Sequence, residues 1–173
     1  EAGGPESTKS ITSALAADSK LKELHLRSVG LDASAGALLG EALGSNKTLE
    51  QLSLWKNSLC GKGTKALLEK MRMNTTLTML DLRTNRLDDD AGSAIGTYLK
   101  TRGSKVSTLL LSDNEIGPDG GKAIAAGWAD TDVLSSLDIR GNKLDVDAVK
   151  ALKAARGSSA RKKTRTVELL IDE

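Results

Sequence analysis

The chain has 173 residues and a formal net charge of +2, so no long-range field directs it toward nucleic acid. Hydrophobic residues make up 39% of the sequence and aromatic residues only 2%, so its core must be aliphatic. The single cysteine, Cys60, excludes an intrachain disulfide and is typical of a reducing compartment. A membrane-spanning helix needs about 18 consecutive apolar residues, and the sequence contains no such run. We therefore expect an intracellular, cytoplasmic protein that does not associate with membranes.

A repeated pattern of aliphatic residues runs along the chain. The repeats begin at intervals of 28 or 29 residues, at Leu21, Leu49, Leu77, Val106 and Leu134. Each start opens the pattern LxxLxLxxNxL, in which only the first repeat departs, with Val29 in place of the asparagine. The alternating apolar positions predict one short strand in each repeat. The asparagine is expected to satisfy buried backbone groups in the turn that follows the strand.

The second half of each repeat has apolar residues at steps of four, which predicts a helix with one buried face. A small residue lies four positions before the first apolar residue of that helix face in each repeat: Ala35, Gly63, Ala91, Gly120 and Ala148. We expect aspartates to cap the helices, with Asp89 or Asp90, Asp119 and Asp147 as the N-cap residues. Trp128 falls in the inward column of its helix, so it is predicted to lie in the core.

A single strand–helix unit cannot bury its own leucines, so the units are expected to stack. The predicted fold is an α/β solenoid in one domain, with a parallel sheet on one side and a row of helices on the other. The expected divisions are a partial repeat at 1–20, repeats at 21–48, 49–76, 77–105, 106–133 and 134–166, and a terminal edge strand at 167–173. The last interval, from Leu134 to Val167, is longer at 33 residues.

The ends of the chain depart from the regular repeat. Ile11 to Leu15 reads as the helix of an earlier, incomplete unit, because Leu15 lies 28 residues before Leu43. The first residue is Glu1 rather than methionine. We therefore expect that the chain is part of a longer array, or that it lacks its terminal cap.

The stretches "LDLRTNRLDDDAGSAIGTYL" and "LLLSDNEIGPDGGKAIAAG" resemble the leucine-rich repeat family. The repeat length of 28–29 residues is similar to that of its ribonuclease-inhibitor-like class, and the resemblance covers roughly residues 11 to 155. It implies a right-handed, horseshoe-shaped solenoid that binds proteins on its concave sheet face, without a cofactor.

The concave face is predicted to carry the residues two, four, six and seven positions after each repeat start. Neighbouring strands lie about 4.8 Å apart, so Trp55 should lie between Arg27 and Arg83 and stack against their guanidinium groups. Tryptophan and arginine are enriched at binding hot spots. The predicted partner-binding residues are His25, Arg27, Trp55, Lys56, Met79, Asp81, Arg83, Asp138 and Arg140. The alternative is that Trp55 only covers the stems of its neighbours.

No catalytic constellation emerges from the sequence. Asp81 and Asp138 invite comparison with a glycosidase carboxylate pair, but each has an arginine two residues on, and local surface ion pairs, which contribute little stability, are favoured. The only histidine and cysteine, His25 and Cys60, fall on different segments, so a Cys–His nucleophile is not expected. "DNEIGPDGGKA" lacks the spacing of a phosphate-binding loop. Since no metal-ligand spacing occurs either, we expect neither an enzyme nor a metal or cofactor site.

Three polar motifs have simple structural interpretations. "NKT" at Asn46 and "NTT" at Asn74 match the glycosylation pattern, but both are favoured as helix-to-strand turns. "RKKTR", Arg161 to Arg165, is a candidate contact for phosphate or an acidic partner, although a solvated loop is favoured. No aromatic residues interleave it, so nucleic-acid binding is not favoured.

The favoured hypothesis is a non-enzymatic protein-binding module, part of a larger intracellular scaffold, sensor or cytoskeletal protein. A regulator is the alternative, because the "NKTL" and "NTTL" turns are similar to those of tropomodulin-type actin-capping proteins, nucleotide-binding immune receptors and Ran GTPase-activating proteins. The acidic tail typical of the last group is missing from "ARKKTRTVELLIDE".

Overall fold

The structure is a computed structural model that describes residues 5–17, 20–162 and 167–172. Strands and helices alternate along the chain. The strands are β1 (Glu23–His25), β2 (Gln51–Ser53), β3 (Met79–Asp81), β4 (Thr108–Leu110), β5 (Ser136–Asp138) and β6 (Glu168–Leu170). The helices are α1 (Pro5–Ala17), α2 (Ala33–Ser45), α3 (Cys60–Lys70), α4 (Asp89–Leu99), α5 (Pro118–Asp130) and α6 (Val146–Lys162), with a 3₁₀ turn at Met71–Met73.

The strands form one parallel sheet in chain order, as the repeat pattern predicted. Successive leucines of the same column pair across it: Leu24, Leu52, Leu80, Leu109, Leu137 and Leu169. The helices pack in sequence along the other side of the sheet, and the leucine ladders form a continuous core between the two layers. The predicted α/β solenoid, with a concave sheet and convex helices, is therefore confirmed. Among the described residues, no helix has the length and apolar character needed to cross a membrane.

The terminal strand β6 pairs with β5 in a register that differs by one residue from the one implied by the alignment of the repeats. The alignment matched Val167 with Leu134, but in the sheet Leu169 pairs with Leu137. This register keeps Leu169 and Ile171 against the core, whereas the aligned register would have turned Asp172 toward it. A slip of one residue reverses every side chain of a strand, so the hydrophobic core selects the observed pairing.

The asparagine after each strand binds the backbone of its own repeat and of the preceding one. Asn57 donates to the carbonyl oxygens of Leu26 and Leu54, both at 2.8 Å. Its Oδ1 accepts from the N–H groups of Val29 at 3.2 Å and Leu31 at 3.0 Å. The buried-asparagine prediction is thus confirmed, and the amide of the second repeat also serves the first repeat, which lacks an asparagine.

The two glycosylation-like motifs form turns, as favoured from the sequence. Asn46 and Asn74 are each only 2% exposed. Asn74 Nδ2 donates to the carbonyl oxygen of Leu43 at 2.7 Å, and its Oδ1 accepts from the N–H of Leu77 at 2.8 Å. A buried, bonded amide nitrogen is not accessible to a glycosylating enzyme.

The predicted helix caps are wrong by one or two residues. Helix α4 is capped by Asp88, whose Oδ1 accepts from the N–H of Ala91 at 3.1 Å, rather than by Asp89 or Asp90. Helix α5 begins after Gly117, with Asp119 inside its first turn. Asp145 accepts from Ala148 N–H at 2.7 Å and so caps α6, within which Asp147 lies. Each cap must precede the first turn so that its side chain can reach back to free N–H groups.

The predictions for the two ends of the chain are confirmed in part. Helix α1 packs on α2 and its Leu15 is buried, as expected for the helix of an earlier unit. Arg161 and Lys162 lie in the last turn of α6 and not in a loop, while the remainder of the "RKKTR" motif lies outside the described residues.

Candidate partner-binding surface

The rung formed by Arg27, Trp55 and Arg83 lies just beyond the strand ends on the concave face. Parallel backbone bonding continues there: Ser28 N–H donates to the Trp55 carbonyl, and Lys56 N–H to the Arg83 carbonyl, each at 3.0 Å. These bonds hold three neighbouring repeats in register at this position. The rung's side chains therefore share one face and meet across adjacent segments.

Trp55 lies between two guanidinium groups, as the sequence predicted. The Arg27 Cζ atom is 3.6 Å from the centroid of the Trp55 ring, and the Arg83 Cζ atom is 4.6 Å from it. Trp55 Nε1 donates to Thr84 Oγ1 at 3.3 Å, which fixes the rotation of the ring. The indole is half-buried, and its unburied part is open to solvent on the concave face.

Arg83 is held by a buried carboxylate. Its Nε donates to Asp81 Oδ1 at 2.9 Å and its Nη2 to Asp81 Oδ2 at 2.8 Å, while Ser53 Oγ donates to the same Oδ2 at 2.8 Å. Burial opposes the ionisation of Asp81, but the hydrogen bonds from Arg83 and Ser53 hold its pKa below the ordinary value. The rung is therefore anchored from below by a fixed, charged pair.

A second pair repeats this geometry two strands away. Arg140 Nε and Nη2 each donate to Asp138 at 2.9 Å, and burial of Asp138 is again outweighed by these bonds, so that its pKa is lowered. The local pairing predicted for both aspartates is confirmed. Their classification as surface pairs is wrong, because Asp81 is 2% exposed and Asp138 4% exposed. The packing of the sheet covers the carboxylates and leaves the arginines at the surface.

The other predicted surface residues surround the rung unevenly. Lys56 is exposed and adopts a left-handed backbone, with φ at 58°, in the turn that directs Asn57 inward. His25 is exposed on β1, with its Nε2 at 3.9 Å from Glu23 Oε2. Met79 is half-buried on β3, beside Gln51 of β2. His25 and Met79, each next to an inward leucine of its strand, thus lie on the outer face of the sheet, and Lys56 lies in the turn directly after Trp55.

The rejected chemistries meet physical obstacles. Leu110 pairs with both Asp81 and Asp138 and separates them across the sheet. Cys60 Sγ donates to the Ser58 carbonyl at 3.4 Å, while the nearest charged partner of His25 is Glu23. Among the described residues, no group of three or more potential metal ligands occurs.

The phosphate-loop interpretation is blocked at the start of α5. Asp89 Oδ1 accepts from the N–H groups of Gly117 at 2.7 Å and Gly120 at 2.8 Å. A carboxylate from the preceding repeat therefore occupies the position that a phosphate would take.

Sequence reasoning missed a groove of about 590 Å³ between α3 and α4 on the convex side. Its lining includes Lys62, Lys65, Leu68, Arg72, Asp90 and Tyr98. Helices α2 and α4 carry Gly36 and Gly92, each of which faces a glycine backbone of the next helix. At the equivalent position α3 carries Thr64. The glycine column is therefore interrupted at α3, and this interruption is the sequence signal that coincides with the groove.

Comparison with known proteins places this architecture in a family. The leucine-rich repeat model matches residues 74–96 and 104–125. The chain is 31% identical over 122 residues to Ran GTPase-activating protein 2 of Caenorhabditis elegans. It is 30% identical over 148 residues to NACHT, LRR and PYD domains-containing protein 4E of Mus musculus. These matches cover 69% and 86% of the chain, but only 10% and 15% of the two relatives.

Solved structures show the same fold. The chain resembles leiomodin-1 actin-binding site 2 with a TM-score of 0.73 and 15% identity, covering 93% of this chain and 92% of that one. It resembles the tropomodulin C-terminal domain of Caenorhabditis elegans with a TM-score of 0.60 and 11% identity, covering 96% and 83%. With its repeated LxxLxLxxNxL strands, its asparagine ladder and its matching repeats, the chain is a leucine-rich repeat protein.

Proposed function

We propose that this chain is a non-enzymatic protein-binding module whose partner contacts the concave face around the rung of Arg27, Trp55 and Arg83. The observation that carries the proposal is Trp55 itself. It is a half-exposed indole on a face whose other exposed residues are mainly polar, and it is stacked between two arginines. Such fixed aromatic and arginine side chains are the groups that dominate binding energy at protein interfaces.

The geometry supports binding through pre-organisation. Trp55 is held by two guanidinium groups and by Thr84, and Arg83 is held by Asp81. Ordering a free side chain on binding costs about 0.5–1.5 kcal/mol, and that cost is largely avoided when the side chain is already fixed. The proposed surface extends over the nine residues expected from the sequence, with Asp81 and Asp138 acting from beneath it to orient Arg83 and Arg140.

The test is affinity capture from native lysate with the wild type, Trp55→Ala and Met73→Ala, followed by mass spectrometry. Met73 is 78% exposed and follows helix α3, outside the proposed surface, so its truncation is the matched control. A partner retained by the wild type and the control and lost by a folded Trp55→Ala supports the proposal. Titration calorimetry with the purified partner should then show binding weakened by at least about 2 kcal/mol in Trp55→Ala.

Capture that is equal for all three proteins would refute binding at the rung. The rung would then act only as packing for neighbouring side chains. In that case the groove between α3 and α4 is the next surface to examine, with Lys65→Ala and Lys153→Ala as the comparison, since only Lys65 lines the groove. Both lysines are exposed helix residues.

A regulator is the second candidate. The likeness to Ran GTPase-activating protein 2 favours a test of GTP hydrolysis by Ran, and the likeness to actin-binding site 2 of leiomodin-1 favours a test of actin binding. Cosedimentation with actin filaments that is lost in Trp55→Ala would support the actin-capping alternative. Acceleration of single-turnover GTP hydrolysis would support the activator alternative. Neither result is expected if the module serves another protein.

We further propose that the module belongs to a larger intracellular scaffold, sensor or cytoskeletal protein. The curated relatives support this, because the matching segments are only 10% and 15% of their length. The single cysteine fits a reducing compartment. Fractionation of cells with an antibody to the chain would test both points, since the parent protein would run above 18.2 kDa and remain in the intracellular fraction.

A further inference from the structure

We infer that the partner segment contacting the rung is acidic, with a carboxylate pairing to Arg27; the inference rests on the function proposed above. Arg27 differs from the other two arginines of its row. Arg83 and Arg140 each use Nε and Nη2 to bind an aspartate of their own repeat. Among the described residues, Arg27 takes part in no salt bridge, and its guanidinium lies over the face of Trp55 at 3.6 Å.

Stacking fixes Arg27 without using its hydrogen-bond donors. A guanidinium that lies over an indole presents its N–H groups at its rim, where they remain available to a planar acceptor. A carboxylate matches this donor arrangement with two parallel hydrogen bonds. The rung therefore holds a positioned cation whose charge is not neutralised within the described part of the chain.

The surrounding charge has the same sign. Lys56 follows Trp55 directly, is exposed, and likewise takes part in no salt bridge among the described residues. Of the three cations Arg27, Lys56 and Arg83, only Arg83 forms a salt bridge among the described residues, with the buried Asp81, and it is attracted further by Asp138 and Asp113. Arg140, at the other end of the row, is likewise bound to Asp138 and attracted further by Asp172 and Asp113. The two cations without a salt bridge among the described residues, Arg27 and Lys56, belong to the first two repeats, so an acidic segment is complementary to that end of the row.

Single-stranded nucleic acid is the competing anionic ligand, and the geometry disfavours it. Sequence-tolerant binding of a strand relies on bases that stack on an aromatic face. Arg27 and Arg83 approach Trp55 from the strands on either side and occupy the ring faces. What remains open is the ring edge and the arginine rims, which suit a carboxylate better than a base.

The experiment is an NMR titration of the ¹⁵N-labelled protein with a hexaglutamate peptide, and with hexalysine and an oligothymidine for comparison. The two indole N–H signals report separately, because Trp55 is half-exposed and Trp128 is fully buried with its Nε1 bound to the Leu134 carbonyl. Hexaglutamate should shift the Trp55 signal and leave the Trp128 signal in place. The affinity should fall with added salt, as expected for exposed charges.

Two variants make the result specific. Arg27→Ala should weaken hexaglutamate binding by about fivefold, the upper range for an exposed ion pair. Lys153→Ala, which removes the same charge from an exposed site on α6, should leave the affinity unchanged. An unmoved Trp128 signal in each variant shows that the core remains folded.

Several outcomes would overturn the inference. These are a Trp55 shift no larger with hexaglutamate than with hexalysine, tighter binding of oligothymidine, or undiminished hexaglutamate binding in Arg27→Ala. If the captured natural partner nevertheless depends on Trp55, the proposed function stands and only the acidic chemistry is wrong. If capture is independent of Trp55, the proposed function fails whatever the peptide does.

Discussion

Replacing the buried asparagines tests how the repeats are held together, and the structure predicts different costs at two equivalent positions. Asn85 is fully buried and donates to the carbonyl oxygens of Leu54 and Arg83, both of which keep another donor when Asn85 is removed. Its Oδ1 accepts only a long bond, from Leu59 N–H at 3.4 Å. Asn85→Ala therefore leaves one donor unsatisfied, which costs about 1–3 kcal/mol.

Asn114→Ala should cost more. Asn114 Oδ1 accepts from Asn85 N–H at 2.7 Å and Leu87 N–H at 3.1 Å, and its Nδ2 donates to the Leu82 carbonyl at 3.0 Å. Its other two acceptors, the Leu111 and Ser112 carbonyls, keep a second donor. Two N–H groups lose their acceptor and one carbonyl loses its donor, so we expect destabilisation of about 3–9 kcal/mol at about 1–3 kcal/mol for each group.

Equilibrium urea unfolding, followed by circular dichroism and by tryptophan fluorescence, measures both free energies. The side chains deleted are identical, so the difference between the variants isolates their hydrogen bonds from the cavity left behind. Asn114→Asp is a third variant that keeps an acceptor for the two N–H groups, but replaces the donor by a carboxylate oxygen that faces the carbonyls of Leu82 and Leu111. Equal destabilisation by the two alanine substitutions, or a larger effect at Asn85, would refute this account of the ladder.

Three further predictions concern packing, capping and acid stability. Gly96→Ala places a methyl group against the backbone of the neighbouring helix, so it should destabilise the protein by about 1–3 kcal/mol. Gly157 has open space around it, so Gly157→Ala should stabilise the protein by up to about 1 kcal/mol. Thermal melts of the two variants should therefore shift in opposite directions. Asp89→Ala removes the acceptor of two N–H groups at the start of α5 and should destabilise the protein by about 1 kcal/mol. Asp90 is exposed, so Asp90→Ala should change stability by less than about 0.5 kcal/mol. Similar urea midpoints for the two variants would contradict the capping of α5 by Asp89 of the preceding repeat. The lowered pKa of Asp81 means that its ionisation stabilises the fold above the unfolded value, near 3.8, and that this contribution is lost as pH falls through the folded pKa. Asp81→Asn should accordingly lower stability at neutral pH and flatten its loss in acid, and an unchanged acid-unfolding curve would refute the role of this carboxylate.

The strand side of each repeat was predictable because its geometry is simple. A strand alternates faces with a period of two, and units of 28 or 29 residues place equivalent positions side by side. From these two facts the stacking of Trp55 between Arg27 and Arg83 followed, and the structure confirms it. The binding role of that rung remains a prediction, because partner recognition depends on a second surface that this sequence does not contain.

Most of the errors share a different cause. The role of Asp89, the burial of Asp81 and the register of β6 all depend on contacts between repeats rather than within one, whereas the caps of α4 and α6 were misplaced within their own repeats. Asp89 was expected to cap its own helix and instead caps the next, since the free N–H groups of α5 lie within its reach. Asp81 was expected at the surface and is covered because Ser53 and the neighbouring strands close over it. A sequence pattern does not specify the distances between the side chains of successive repeats.

Four features could be deduced from the sequence alone: the repeat, the parallel sheet, the inward leucines and asparagines, and the strand residues that face outward on the concave side. These follow from local periodicity and from the need of each unit to bury apolar surface against its neighbours. Tertiary packing sets how closely the helices approach one another, and a groove opens between α3 and α4, where the glycine column is interrupted. It also decided which charges are neutralised. Arg83 is bound to a buried carboxylate while Arg27 is held by an aromatic face alone, because ion pairing depends on side-chain distances that the spacing of residues along a chain does not specify.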